Sequence, residues 1–308
     1  GVTAMSKKNN VFSGLDRLPK GLASEHLTEG CVVLEGGAFR GLYTSGVLDA
    51  LMEAGINLSC TVGVSAGALN GMNYVSGQIG RSGRLNLTYR HDSRYVGLKA
   101  IRKNRGVIGF DFILKNVNKE DPLNEERFFR PDRRFIVVAT DCITGRPRYF
   151  EKNEGETIFQ AVRASASMPY VSKMVMINGV PYLDGGCSDK VPFRWPLDQG
   201  YQKVIVIRTR PMDYRKKERS DHSLTDRLYH DYHQFSRVLD ASNANYNRQC
   251  REMIELAAKK KIYVIAPSQP IDISRLEGDM EKLGGLYFLG YEDAKKQLPT
   301  IREYLGIQ

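Results

Sequence analysis

The chain has 308 residues, 42% hydrophobic and 26% charged, the make-up of an ordinary globular chain able to bury a full core. Its formal net charge of +10 favours anionic surfaces, whether phospholipid headgroups or nucleic acid. No apolar run approaches the roughly 20 residues of a spanning helix. The polar start Ser6-Lys7-Lys8-Asn9-Asn10 lacks the apolar centre of a secretion signal, so the expected location is cytoplasmic.

Gly1-Val2-Thr3-Ala4 ahead of Met5 reads as a vector-derived remnant at the head of an N-terminal extension over residues 1–30. Cys31-Val32-Val33-Leu34 reads as the first buried strand. Apolar residues at Val47, Leu48, Leu51 and Met52 then give a helical stripe that Gly55 stops. Thr61-Val62 leads to a serine turn, and residues 66–75 form a helix rich in Ala and Gly. Residues 80–124 are polar and weakly periodic, the pattern of a helical insertion or lid. Residues 135–140 and 204–207 are β-branched strands, 157–164 a short helix, and Tyr182-Leu183 runs into Asp184-Gly185-Gly186. Residues 224–258 carry the apolar spacing of one long helix or a broken pair. Residues 262–265 make the last strand, and 292–304 a helical tail. Strands alternating with helices predict an α/β fold with a mostly parallel central sheet. With no clear linker, residues 31–308 are expected to form one domain.

Gly63-Val64-Ser65-Ala66-Gly67 is a G-x-S-x-G pentapeptide between a strand and a helix. In that setting a tight turn presents a serine hydroxyl for nucleophilic attack, and only small neighbours fit. A plain Gly/Ser turn is the bland alternative. Upstream, Glu35-Gly36-Gly37-Ala38-Phe39-Arg40-Gly41 follows the first strand and opens a helix. Its converging N–H groups suit a phosphate or an oxyanion. No lysine follows Gly41, so it is not a nucleotide P-loop, and adjacent Gly36 and Gly37 break a dinucleotide fingerprint.

A serine nucleophile needs a base. His222, His230 and His233 follow it in the order of a Ser-His-Asp triad, but they lie on a polar helical stretch. Asp184 stands at a strand tip and is the carboxylate candidate, with a simple Asp-Gly turn as the competing reading. A carboxylate is a weaker base than imidazole and must lean on oxyanion donors. The five cysteines are odd in number and never spaced C-x-x-C, which argues against a disulfide framework and a zinc site. Basic runs at Arg208-Thr209-Arg210, Arg215-Lys216-Lys217 with Arg219, and Lys259-Lys260-Lys261 read first as a solvated face. Attraction to an anionic membrane ranks second, and nucleic-acid binding last, for lack of any recognition motif.

From about Cys31 to Asp189 the chain resembles the patatin-like phospholipase family. The glycine nest, serine elbow and Asp-Gly-Gly come in the family's order, and Arg163-Ala164-Ser165-Ala166-Ser167-Met168-Pro169 resembles a family segment near the site. The resemblance implies a three-layer α/β/α sandwich and a Ser65–Asp184 dyad needing neither histidine, metal nor cofactor. It also implies an oxyanion hole from the amides of Gly36, Gly37 and Ala38. Gly63, Gly67, Gly41, Gly185, Gly186 and Arg40 would support them. Ala38 stands where the family more often has glycine, and alanine holds to negative φ more strictly. The implied activity is hydrolysis of lipid or other carboxylic esters. The acyl chain is expected in a groove lined by residues 80–124 and 224–258, and the basic surface against anionic membrane. A triad esterase and a catalytically silent lipid-binding protein are the alternatives.

Overall fold

A computed structural model describes residues 10–96, 108–111, 113–114 and 119–308. The remnant at residues 1–4 and parts of the expected insertion (97–107, 112 and 115–118) lie outside the described residues.

The central sheet is built from β1 (Thr28–Leu34), β2 (Leu58–Val64), β3 (Arg134–Asp141), β4 (Pro147–Glu151), β5 (Val175–Ile177), β6 (Val180–Asp184), β7 (Val204–Ile207) and β8 (Tyr263–Ile265). Its order is β8-β7-β1-β2-β3-β6-β5, with β4 on β3 as a branch. The pairs from β8 to β3 are parallel, and β4, β5 and β6 are antiparallel additions. The central strands are buried on both faces, which is why they read as unbroken apolar runs. Val32 and Leu34 of β1 point into one core with Ile205 and Ile207, while Cys31 and Val33 point into another with Val204 and Val206.

The strands' branching places the site. Along one edge of β3, β2 pairs in register with its last residue, Val64, opposite Val138. On the other edge β4 pairs with Ile136 to Thr140. β6 pairs Asp184 with Ala139 and Leu183 with Thr140, positions whose outer edge β4 already holds. β6 must therefore lie on the β2 edge, just past the point where β2 ends. The residue after β2, Ser65, and the last residue of β6, Asp184, become neighbours by register alone.

Helices cover both faces. α1 (Leu42–Glu53) and the 26-residue α7 (Met280–Leu305) pack on the first core. Between them in sequence come α2 (Ala66–Val75), α3 (Arg81–Tyr89), α4 (Thr157–Ser165), α5 (His233–Asp240) and α6 (Ser242–Ala258). α6 lies on the second core through Tyr246, Cys250 and Met253. The helical tail expected at 292–304 is the C-terminal half of α7. Gly284, Gly285 and Gly290 disguise its first half, because isolated glycines lower helix propensity. Their use is in packing. A methyl on Gly290 would run into the Tyr43 carbonyl, and one on Gly46 of α1 into the Tyr287 carbonyl, so the two backbones touch. Tyr43 Oη then donates to Asp293 at 2.7 Å and Tyr287 Oη to Asp49 at 2.5 Å, a reciprocal pair across the contact. Residues 224–258 are three helices rather than one or two, Ser223–Leu228, α5 and α6, broken near Tyr232 and at Ala241.

Gly290→Ala must push α7 off α1, and overpacking of this kind costs about 1–3 kcal/mol. Urea unfolding should show a loss in that range; an unchanged midpoint would mean that the helices do not pack backbone to backbone.

Candidate active site

Gly36, Gly37, Ala38, Ser65 and Asp184 converge near the C-terminal ends of the parallel strands, where open α/β sheets place their ligand sites. Ser65 follows β2 with φ 57° and ψ −123°, a conformation an L-residue holds only under constraint. The constraint is the tight shell around it. A methyl on Gly63 would meet the backbone of Gly67 and Ala68, and one on Gly67 the Leu34 carbonyl. One on Gly36 would stand 3.1 Å from Ser65 Cβ, and one on Gly41 3.0 Å from Ala66 Cβ. The Ser65 amide is held by Ser165 Oγ, which accepts from it at 2.8 Å.

Asp184 caps the turn after β6. Its Oδ1 accepts from the Gly186 amide at 2.7 Å, and its carbonyl accepts from Thr140 Oγ1 at 2.8 Å. Gly185 is forced to be small because a methyl there would meet the Val138 carbonyl. Burial pushes the Asp184 carboxyl above its ordinary value of 3.8. The Gly186 amide, Arg275, Lys190 and the Ser65 hydroxyl oppose the rise, Ser65 the most weakly of the four. Serine and aspartate thus line one pocket, and the carboxyl is tuned toward a higher proton affinity.

The glycine nest forms the third side. Gly37 has φ 152° and Ala38 φ 50°, so the alanine adopts the left-handed backbone that its side chain was expected to disfavour. The cost is about 1–2 kcal/mol, and the conformation leaves the Gly37 and Ala38 amides with no acceptor among the described residues. The nest is anchored from below. Thr209 Oγ1 donates to the Gly36 carbonyl at 2.6 Å, and Asn70 Nδ2 donates to the Gly41 carbonyl at 2.9 Å. Glu35 accepts from Arg208 Nε at 3.0 Å and from Tyr246 Oη at 2.9 Å. Burial works against the Arg208 charge, and Glu35 overrides it and keeps the guanidinium protonated.

Ser65 borders two unlike cavities. One, of about 50 Å³, is lined by Ala38, Phe39, Leu42, Leu69, Tyr95 and Met168. It shares Leu69, Asn70, Asn86 and Tyr95 with a larger space of about 700 Å³. The other, of about 200 Å³, contains Asp184 and is ringed by cations. Residues 80–124 do contribute to the apolar side through Asn86, Tyr95 and Ile108. The 224–258 stretch does not; its Leu239, Ser242 and Tyr246 border the cationic side. None of the five histidines lines either cavity at Ser65. His222 Nδ1 sits 3.0 Å from Asp240 Oδ1, while His230 and His233 are exposed.

Several site residues lay beyond sequence reasoning. Arg208 is buried rather than part of a solvated basic face, and Arg210, Lys216 and Arg219 of the same runs border the pocket. Ser165, Thr209, Lys190 and Arg275 carried no signal of their own; only the position of Ser165 within the segment 163–169 hinted at it.

The model of the patatin-like phospholipase family matches residues 32–195, more than half of the chain, and the chain belongs to that family of lipid acyl hydrolases. A second model, of a domain of unknown function called DUF6363, matches residues 232–306. The chain is similar to the uncharacterized protein YjjU of Escherichia coli strain K12, with 27% identity over 289 residues, covering 89% of this chain and 78% of that protein. It is also similar to the crystal structure of VipD from Legionella pneumophila, with a TM-score of 0.48 and 13% identity over 92% of this chain and 70% of that one.

A raised carboxyl pKa has a sign for stability. The folded state holds the Asp184 proton more tightly than the unfolded chain, so stability falls as pH rises from 3.8 through the raised value and stays lowered above it. Asp184→Asn keeps an acceptor for Gly186 and removes that penalty. Thermal melts at pH 8 should place it at or above the wild type; a lower melting temperature would show that the ionised carboxylate is stabilising.

Proposed function

We propose that the chain hydrolyses carboxylic esters of lipids, with Ser65 as nucleophile, Asp184 as base and the amides of Gly37 and Ala38 as oxyanion donors. The observation that carries this reading is a strained Ser65 lining one pocket with a buried Asp184 beside the unengaged Gly37 and Ala38 amides.

Ser65 Oγ attacks the ester carbonyl carbon while its proton passes to the Asp184 carboxylate. The carbonyl π electrons move onto oxygen, and the resulting oxyanion is held by the Gly37 and Ala38 amides, whose positions cost no rearrangement at that moment. Collapse breaks the bond to the alcohol, which departs with the proton from Asp184. Water then attacks the acyl-serine, gives its proton to Asp184, and the second collapse frees the fatty acid and returns the proton to Ser65. The raised proton affinity of Asp184 supports this role, because a base closer to the working pH transfers protons more effectively.

The apolar cavity at Leu69 and Met168 suits an acyl chain, and the adjoining space of about 700 Å³ gives it room to extend. The cationic rim supports approach to an anionic membrane surface, whose attraction to basic residues is screened by salt.

Ser65→Ala and Asp184→Asn should each lower the hydrolysis of p-nitrophenyl butyrate by about 10³-fold or more with the fold intact. Replacing His222, His230 and His233 together with alanine should leave the rate within about threefold, since no imidazole takes part. The acid limb of kcat/KM should lie above pH 3.8, because activity requires an ionised Asp184 whose pKa is raised. Full activity of either dyad variant, or its loss in the triple histidine variant, would contradict the assignment.

A further inference from the structure

Acyl transfer does not explain the charge around the site. Arg40, Lys190, Arg210, Lys216 and Arg275 all border the pocket of about 200 Å³ that Ser65 and Asp184 share. Glu35 and Asp184 are the carboxylates in its lining; Glu35 attracts Arg40 and Lys216, and Asp184 attracts Lys190 and Arg275, but two carboxylates are too few for so many cations. Glu35 is taken by Arg208 Nε at 3.0 Å and by the Tyr246 hydroxyl at 2.9 Å. Asp184 Oδ1 is taken by the Gly186 amide at 2.7 Å.

Arg40 poses the difficulty most clearly. Its side chain is 6% exposed, and its Nε has no hydrogen-bond partner among the described residues. Arg210 Nε is buried and unpartnered too, with its guanidinium 4.1 Å from the centre of the Tyr214 ring. Burial, with repulsion from Arg210 and Arg275, draws Arg40 down to about 10. Burial, with Lys190 and Arg275, draws Lys216 down to about 7. Burying more cations than the neighbouring carboxylates neutralise is destabilising, so cations crowded together in this way are relieved when an anion binds among them. Guanidinium forks and lysine point charges together match phosphate oxygens.

The position of the pocket says which part of a ligand brings that anion. Ser65 is the junction between the apolar cavity and the cationic one. An ester at Ser65 with its acyl chain against Leu69 and Met168 turns its alcohol half toward Arg40, Arg210 and Lys216. We propose that the cationic pocket is a phosphate subsite for the leaving alcohol, selecting acyl esters that carry a phosphate monoester beside the ester over those with a neutral or zwitterionic headgroup. The proposal rests on the reading of Ser65 as the acyl-transfer nucleophile. A choline ammonium carried on the phosphate would be repelled by Lys190 and Arg219 in the same lining.

The test uses Ser65→Ala protein, which binds without turnover, titrated calorimetrically with monomeric dihexanoyl phosphatidate, dihexanoyl phosphatidylcholine or inorganic phosphate. The expected result is at least tenfold tighter binding of phosphatidate than of phosphatidylcholine, a preference that R210Q/K216Q in the same background abolishes. Circular dichroism checks that the variant is folded, and R210Q and K216Q singly should each remove part of the preference. Equal affinity for the two lipids, or a preference untouched by R210Q/K216Q, overturns the proposal. Inorganic phosphate binding as tightly as phosphatidate also overturns it, marking a free-anion site rather than a substrate subsite. Failure of the nucleophile reading is seen separately, as ester hydrolysis that survives in the Ser65→Ala protein.

Discussion

One edge of β3 is shared by two strands, and the site exists because of that sharing. β2 ends opposite Val138 and β6 ends opposite Ala139, so two strand ends meet at one point of the sheet. No long-range side-chain interaction is needed to bring Ser65 and Asp184 together, since backbone pairing does it. The glycines then follow as consequences. Gly185 must be small because it lies on the Val138 carbonyl, and Gly67 because α2 starts against the Leu34 carbonyl. A register slip of one residue would turn Asp184 to the opposite face, as for any strand.

Around that junction the molecule separates two kinds of environment. Apolar and aromatic side chains collect on the side of α1 and α2, while cations collect on the side of β7 and α6. The buried Glu35–Arg208 pair links the two, because Glu35 begins the glycine nest and Arg208 directly follows β7. Breaking such a pair by removing one partner costs about 3–5 kcal/mol, so the nest is tied to the sheet as firmly as the core is. The strain at Ser65 and Ala38 persists because this frame leaves the backbone no alternative.

Much of this was legible in the residues themselves. Val33 and Val206 sit in unbroken apolar runs because both sheet faces are covered, and such runs are easily recognised as strands. The elbow at Ser65 and the turn at Asp184 were visible because such tight turns demand small neighbours, and glycine records that demand in sequence. The first half of α7 was hidden for the same reason in reverse: Gly284 and Gly290 are there for close packing and mimic a loop. β4 and β5 were missed because they are short additions, β4 opening on Pro147 and β5 only three residues long. The cationic pocket was unreadable. Arg40, Lys190, Lys216 and Arg275 come from four separate segments, and nothing local distinguishes a buried, unpaired arginine from a solvated one.

The central claim is that Ser65 gives its proton to Asp184 and so becomes a nucleophile. Labelling with a fluorophosphonate, followed by mass mapping of tryptic peptides, reads that chemistry directly, because the reagent bonds only to an activated serine. The account predicts a single adduct on Ser65 that forms rapidly in the wild type and at least a hundredfold more slowly in Asp184→Asn. An adduct on a different serine, or equal labelling rates in the two proteins, would contradict it.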